Sequence, residues 1–89
     1  MSFLGHNPRK RFGQHWLKDA SVLDKILTAA DLGPEDRVLE VGPGRGALTK
    51  RLLASRAAAV HAVELDKDLV EGLNYRFSDQ SKFTLQEGD

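Results

Sequence analysis

The stretch VLEVGPGRGALT, residues 38–49, decides the fold. It opens as an apolar strand carrying one acid, passes through Gly42, Gly44 and Gly46 at every second position, and resumes in helix formers at Ala47 and Leu48. That is a strand running into a tight turn and straight on into a helix. Glycine lets the backbone bend sharply and come close to a ligand where a Cβ would collide with it. The stretch therefore outlines a ligand site as well as a chain reversal.

Working outward, Arg37 to Val41 is the strand, and the helix after the turn runs from about Gly46 to Ser55. Leu48, Leu52 and Leu53 fall on its buried side, with Lys50, Arg51 and Arg56 in water. Residues 57–64, AAAVHAVE, are an almost unbroken apolar run bounded by charge, which predicts a second strand covered on both faces. His61 inside it is read as a hydrogen-bonded structural residue. Asp66 can cap a third helix to about Phe77, with Leu69, Val70, Leu73 and Phe77 on one face and Gly72 weakening it. Lys82 to Gln86 then alternates and predicts a third strand. Upstream, Val22, Leu23, Ile26, Leu27 and Ala30 recur at helical spacing, with Asp19 or Ser21 as N-cap and Gly33-Pro34 as terminator.

Strands thus alternate with helices through short connections. Right-handed crossovers make this an α/β fold, one half of a doubly wound parallel sheet with strand order 3-2-1 and flanking helices. At 89 residues, with 40% hydrophobic and 29% charged side chains, the composition is that of a soluble globular protein. The length is short for a parallel sheet clothed on both faces, so part of a larger domain is expected.

Cysteine is absent, which excludes disulfides, thiolate metal sites and a cysteine nucleophile and fits a reducing cytoplasm. No apolar run reaches the roughly 18 residues of a membrane span, and no secretory signal is present. The expectation is a cytoplasmic monomer without metal or membrane contact.

The net charge of zero hides an asymmetry. Residues 1–18 carry +4 and the remainder −4. That leading stretch, MSFLGHNPRKRFGQHWLK, shows no regular period and reads as an irregular basic arm before an α/β unit at 19–89. Phe3, Phe12 and Trp16 are interleaved with Arg9, Lys10 and Arg11, a mixture that suits RNA: cations meet phosphates while flat rings stack on exposed bases. Composition alone weighs this equally with a solvated tail.

Gly42, Gly44 and Ala47 satisfy G-x-G-x-x-[GA], and Glu64 lies 22 residues after Gly42, where an acid can hold ribose hydroxyls. Ribose is common to nicotinamide dinucleotides and to S-adenosylmethionine, so Glu64 does not separate them. Glu40, two residues before Gly42, does bear on the choice. A second carboxylate there repels a pyrophosphate and attracts a sulfonium or an ammonium. Arg45 argues weakly the other way, and a bare strand-to-helix turn remains the bland alternative. A P-loop is excluded by the missing G-K-[ST] ending.

RKRFGQHWL (9–17), EVGPGRGALT (40–49), VELD (63–66) and EGD (87–89) together resemble the opening of the bacterial small-subunit rRNA dimethyladenosine transferases, the kasugamycin-resistance family. Its most discriminating part is the R-F-G-Q-x-[FW]-L block, in which His15-Trp16 stands where the family often has Asn-Phe. The resemblance implies a Rossmann-like fold and S-adenosylmethionine-dependent dimethylation of two adjacent adenosines, at N6, in a small-subunit rRNA hairpin. It also implies that Gln14, His15 and Leu17 line the cofactor pocket and that Gly42 and Gly44 pass beside the methionine moiety. Glu64 would hold the ribose, Glu40 would orient the methionine ammonium, and Asp89 would accept from the adenine amino group. The family's catalytic N-L-P-Y segment does not occur in these 89 residues, so no catalytic residue is assigned. The erythromycin-resistance methyltransferases of large-subunit rRNA share the pocket pattern. A nicotinamide-dependent oxidoreductase and a non-catalytic RNA-binding module are the rivals from other classes.

Overall fold

A computed structural model of the chain describes residues 19–88. The elements follow in the order α1 (Ala20–Ala30), β1 (Arg37–Val41), α2 (Ala47–Ala54), β2 (Ala59–Glu64), α3 (Lys67–Arg76) and β3 (Phe83–Glu87). The three strands form one parallel sheet in the order β1-β2-β3, which is the expected 3-2-1 arrangement viewed from the other edge.

Local chemistry sets the helix ends. Asp19 caps α1 by accepting from the Ser21 and Val22 amides, and Asp66 caps α3 by accepting from those of Asp68 and Leu69. α1 stops earlier than Gly33-Pro34 would require. Asp31 takes the left-handed conformation at φ 47°, which a short polar side chain tolerates, and its amide donates to the Leu27 carbonyl. A turn then forms in which the Asp36 side chain accepts from the Gly33 amide at 2.7 Å. It leads directly into β1.

Parallel strands joined by right-handed crossovers place α2 and α3 on the same face of the sheet. Leu23, Leu48, Leu52, Leu53, Leu73 and Phe77 meet Val38 and Val60 there, and Phe77 tilts against Phe83 with ring centroids 5.3 Å apart. α1 adds Ile26 and Leu27 against this cluster.

The expectation that β2 is covered on both faces is corrected here. Val60, Ala62 and Glu64 are buried on the helix side, whereas Ala59, His61 and Val63 are only half-buried on the other. On that second face Leu39 and Val41 of β1 are 43% and 38% exposed among the described residues. An apolar run in a strand reports that both sides avoid water, not which segment covers each. His61 sits on this open side and shares a hydrogen bond with the Thr84 hydroxyl at 2.6 Å, in keeping with a structural role. No helix among the described residues is long and apolar enough to cross a membrane.

Candidate cofactor-binding site

The site is built where β1 ends. The β1–β2 ladder carries one step past the strand, because the Gly42 amide donates to the Val63 carbonyl at 2.8 Å. The chain then turns through Gly42, Gly44 and Gly46 at φ 69°, 62° and 91°. L side chains rarely adopt these angles, and the Gly46 amide closes the turn onto the Pro43 carbonyl at 3.0 Å. A Cβ on Gly44 would meet nothing within 4 Å, so the backbone there borders open space. That is where the turn can accept a ligand at close range.

Two carboxyls lie beneath this opening, each 2% exposed. Glu40 pairs in register with Ala62, and Glu64 lies two residues further along β2, so both acids project to the helix-covered face. Glu64 is braced at each oxygen: Oε1 accepts from the Gly44 amide at 3.2 Å, and Oε2 accepts from the Asp66 amide at 2.9 Å. It thereby connects the glycine turn to the start of α3. Glu40 accepts a 2.5 Å hydrogen bond from the Thr49 hydroxyl in the first turn of α2. Burial pushes the Glu40 carboxyl up from its ordinary 4.5 to about 7; the Thr49 bond pulls it back down in part, and the neighbouring Glu64 charge adds to the rise.

Of the residues singled out from the sequence, Glu40, Gly42, Gly44 and Glu64 come together around one turn. Arg9, Lys10, Arg11, Gln14, His15, Leu17 and Asp89 lie outside the described residues. Three contributors escaped the sequence reading. Thr49 is fully buried against Glu40. Arg76 donates to the Arg45 carbonyl at 2.7 Å and so holds the turn from α3. Phe77 packs its ring against Gly46. Only Thr49 left a signal, as a hydroxyl three and four positions before Leu52 and Leu53 on an otherwise apolar helix face.

Chemically, the arrangement joins a close-approach backbone to two buried acids. Glu64 is the charged group that acts on Glu40 among the described residues. An anionic pyrophosphate against this pair would meet repulsion at short range in a poorly screened setting, whereas a cation with adjacent hydroxyls meets matching charge and acceptors. The residues present thus fit an adenosyl sulfonium with its ammonium group. No group of three or more His, Cys, Asp or Glu able to hold a metal occurs among the described residues.

The profile of the ribosomal RNA adenine dimethylase family matches residues 5–89. A ribosomal RNA small subunit methyltransferase A from Synechococcus sp. (strain WH7803) is 75% identical over all 89 residues, which make up 32% of that relative. The chain thus spans about a third of the length of the curated relatives it matches. Among solved structures, a dimethyladenosine transferase from Plasmodium falciparum superposes with a TM-score of 0.73 at 33% identity, covering 80% of this chain and 26% of the other. A 23S rRNA methyltransferase, ErmE, gives a TM-score of 0.73 at 34% identity over 80% of this chain and 29% of its own. With a family profile spanning the glycine turn, both acids and nearly all of the remaining sequence, the chain belongs to the ribosomal RNA adenine dimethylase family.

Proposed function

We propose that this chain forms the cofactor-binding portion of an rRNA adenine N6,N6-dimethyltransferase that uses S-adenosylmethionine to dimethylate two adjacent adenosines in a small-subunit rRNA hairpin. The observation that carries the reading is the pair of buried acids, Glu40 and Glu64, bracketing a glycine turn with open space above Gly44. The donor supplies a sulfonium methyl that a nucleophilic amine can take; the chain's own residues bind and orient. Gly42 and Gly44 admit the methionine moiety against bare backbone. Glu40 draws its ammonium, and Glu64, which accepts from the Gly44 and Asp66 amides, takes the ribose hydroxyls. Gln14, His15 and Leu17 would complete the pocket from the N-terminal side, with Asp89 at the adenine amino group. Arg9, Lys10 and Arg11 would hold the rRNA backbone.

Support for the small-subunit substrate comes from the name of the 75%-identical relative. The likeness to ErmE keeps large-subunit rRNA as the second reading. The test uses a full-length hybrid in which this chain replaces the matching 89 residues of the Synechococcus relative. Calorimetry should detect S-adenosylmethionine binding, and Glu64→Ala should weaken it at least about tenfold, because a buried carboxylate held by two backbone amides is lost. Tighter binding of a nicotinamide dinucleotide would overturn the assignment. Label from methyl-labelled donor should enter small-subunit rRNA adenines; label confined to large subunits would transfer the reading to that substrate.

A further inference from the structure

Thr49 is completely buried in the first turn of α2, beside Leu48 and on the side of the helix that also buries Leu52 and Leu53. Packing alone gives no reason for a hydroxyl there. Valine has nearly the same shape and would bring no polar atom into the core that needs a partner. The hydroxyl does have a partner, the Glu40 carboxyl at 2.5 Å, and Thr49 is the one hydrogen-bonding residue on that carboxyl among the described residues.

Among the described residues no counter-ion faces Glu40. From β2 the facing charge is Glu64, of the same sign. On α2, Lys50 is exposed and Arg51 is engaged by Asp24 and by the Ala47 carbonyl. In the turn, Arg45 is exposed, and from α3 the guanidinium of Arg76 is engaged by the Arg45 carbonyl and stacked on Phe77. Val70 and Leu73 of α3 and its C-cap residue Phe77 are the buried side chains there, and all are apolar. A buried acid with a like-charged neighbour and a hydroxyl donor is held close to balance between its protonated and ionised forms. The positive charge that would tip the balance has to come from outside the described residues.

We propose that Thr49 is a positioning residue for Glu40: its hydroxyl fixes one carboxyl oxygen and favours the ionised form, so that a cationic methyl donor is taken up with release of the Glu40 proton to solvent. This rests on the reading of the site as an S-adenosylmethionine pocket. No covalent bond changes in the step; the carboxyl O–H proton passes to water or buffer, and the carboxylate left behind faces the incoming cation.

The test is calorimetric titration of the full-length hybrid with S-adenosylmethionine between about pH 6 and pH 8. The unsubstituted protein should bind more tightly as pH rises through neutrality, and below that midpoint the heat should vary with the ionisation enthalpy of the buffer, reporting proton release. Thr49→Val should weaken binding about tenfold near neutrality and move the midpoint to higher pH, because it removes the bond that favours the charged form. Thr49→Ser should restore both. A folded Thr49→Val protein with unchanged affinity and midpoint, or with an equal loss at every pH, would overturn the proposal. Should Thr49→Val fail to fold, Glu40→Gln decides: it keeps an acceptor for Thr49 and should bind without pH dependence or proton release, and persistence of either would sink the idea. An unsubstituted hybrid that binds no donor at any pH would instead remove the functional reading beneath it.

Discussion

A Cβ built on Gly46 would stand 2.8 Å from Cε2 of Phe77, so the aromatic ring at the C-cap of α3 is seated on the backbone of the glycine turn. The three glycines therefore divide their duties. Gly44 borders open space, while Gly46 lets a helix end pack onto the turn. Arg76 reinforces that contact: its guanidinium lies 5.1 Å from the Phe77 ring centre and donates to the Arg45 carbonyl. The shape of the glycine turn is thus held from α3 as well as from the strand that leads into it.

Substituting Gly46→Ala should destabilise the fold by about 2–4 kcal/mol, combining a left-handed backbone angle with overpacking against Phe77 and Leu73. Thermal unfolding of the hybrid would measure it. Adding Phe77→Leu should recover part of the loss, since the two residues are in contact and their effects cannot be additive. Strictly additive losses would show that the ring and the turn are independent.

Glu40 makes stability depend on pH with a definite sign. Its carboxyl titrates at about 7 in the folded protein against an ordinary 4.5, so between those values the folded state binds more protons than the unfolded state. The associated stability is fully present below pH 4.5 and is lost as pH rises through about 7, a total on the order of 3 kcal/mol. Glu40→Gln mimics the protonated form at every pH. Unfolding midpoints should show the variant more stable than the unsubstituted protein at pH 8, with the difference closing towards acid. A variant that is less stable at pH 8 would contradict the assignment of burial as the cause.

The sheet order, the helix caps at Asp19 and Asp66 and the clustering of Gly42, Gly44, Glu40 and Glu64 were legible because each signal is local: a period, a capping acid, or a glycine spacing beside a strand. The partnership of Thr49 with Glu40 depends on how α2 crosses back over β1, which no spacing encodes. The link from Arg76 to the Arg45 carbonyl joins a side chain to a backbone atom 31 residues away, so the identity of Arg45 carries no trace of it. The second face of β2 was misread for a related reason. On that face Ala59 and Val63 flank His61, and a largely apolar run with one histidine looks the same whether the face is covered or open.

The basic arm makes a prediction in terms of salt. Replacing Arg9, Lys10 and Arg11 by alanine in the hybrid should weaken binding to the rRNA hairpin and reduce the slope of log affinity against log salt by about 2, since each lost phosphate contact on single-stranded RNA removes about 0.7. Filter binding across a salt series would read the slope. An unchanged slope would mean that these cations meet no phosphate.

Gly72 offers the opposite case to Gly46 within one small structure. It lies inside α3 on the exposed side, a Cβ there would meet nothing within 4 Å, and its φ lies outside the left-handed range. Here alanine removes only the extra conformational freedom of glycine in the unfolded chain, so Gly72→Ala should stabilise the protein by about 0.5–1 kcal/mol. Unfolding midpoints of the hybrid should rise by about 1–4 °C, with donor affinity unchanged because the added methyl points into open space. The same chemical change then has opposite signs at residues 46 and 72, set by the backbone angle and by what a methyl group would touch. A loss of stability at residue 72 would show that α3 needs local freedom at this point.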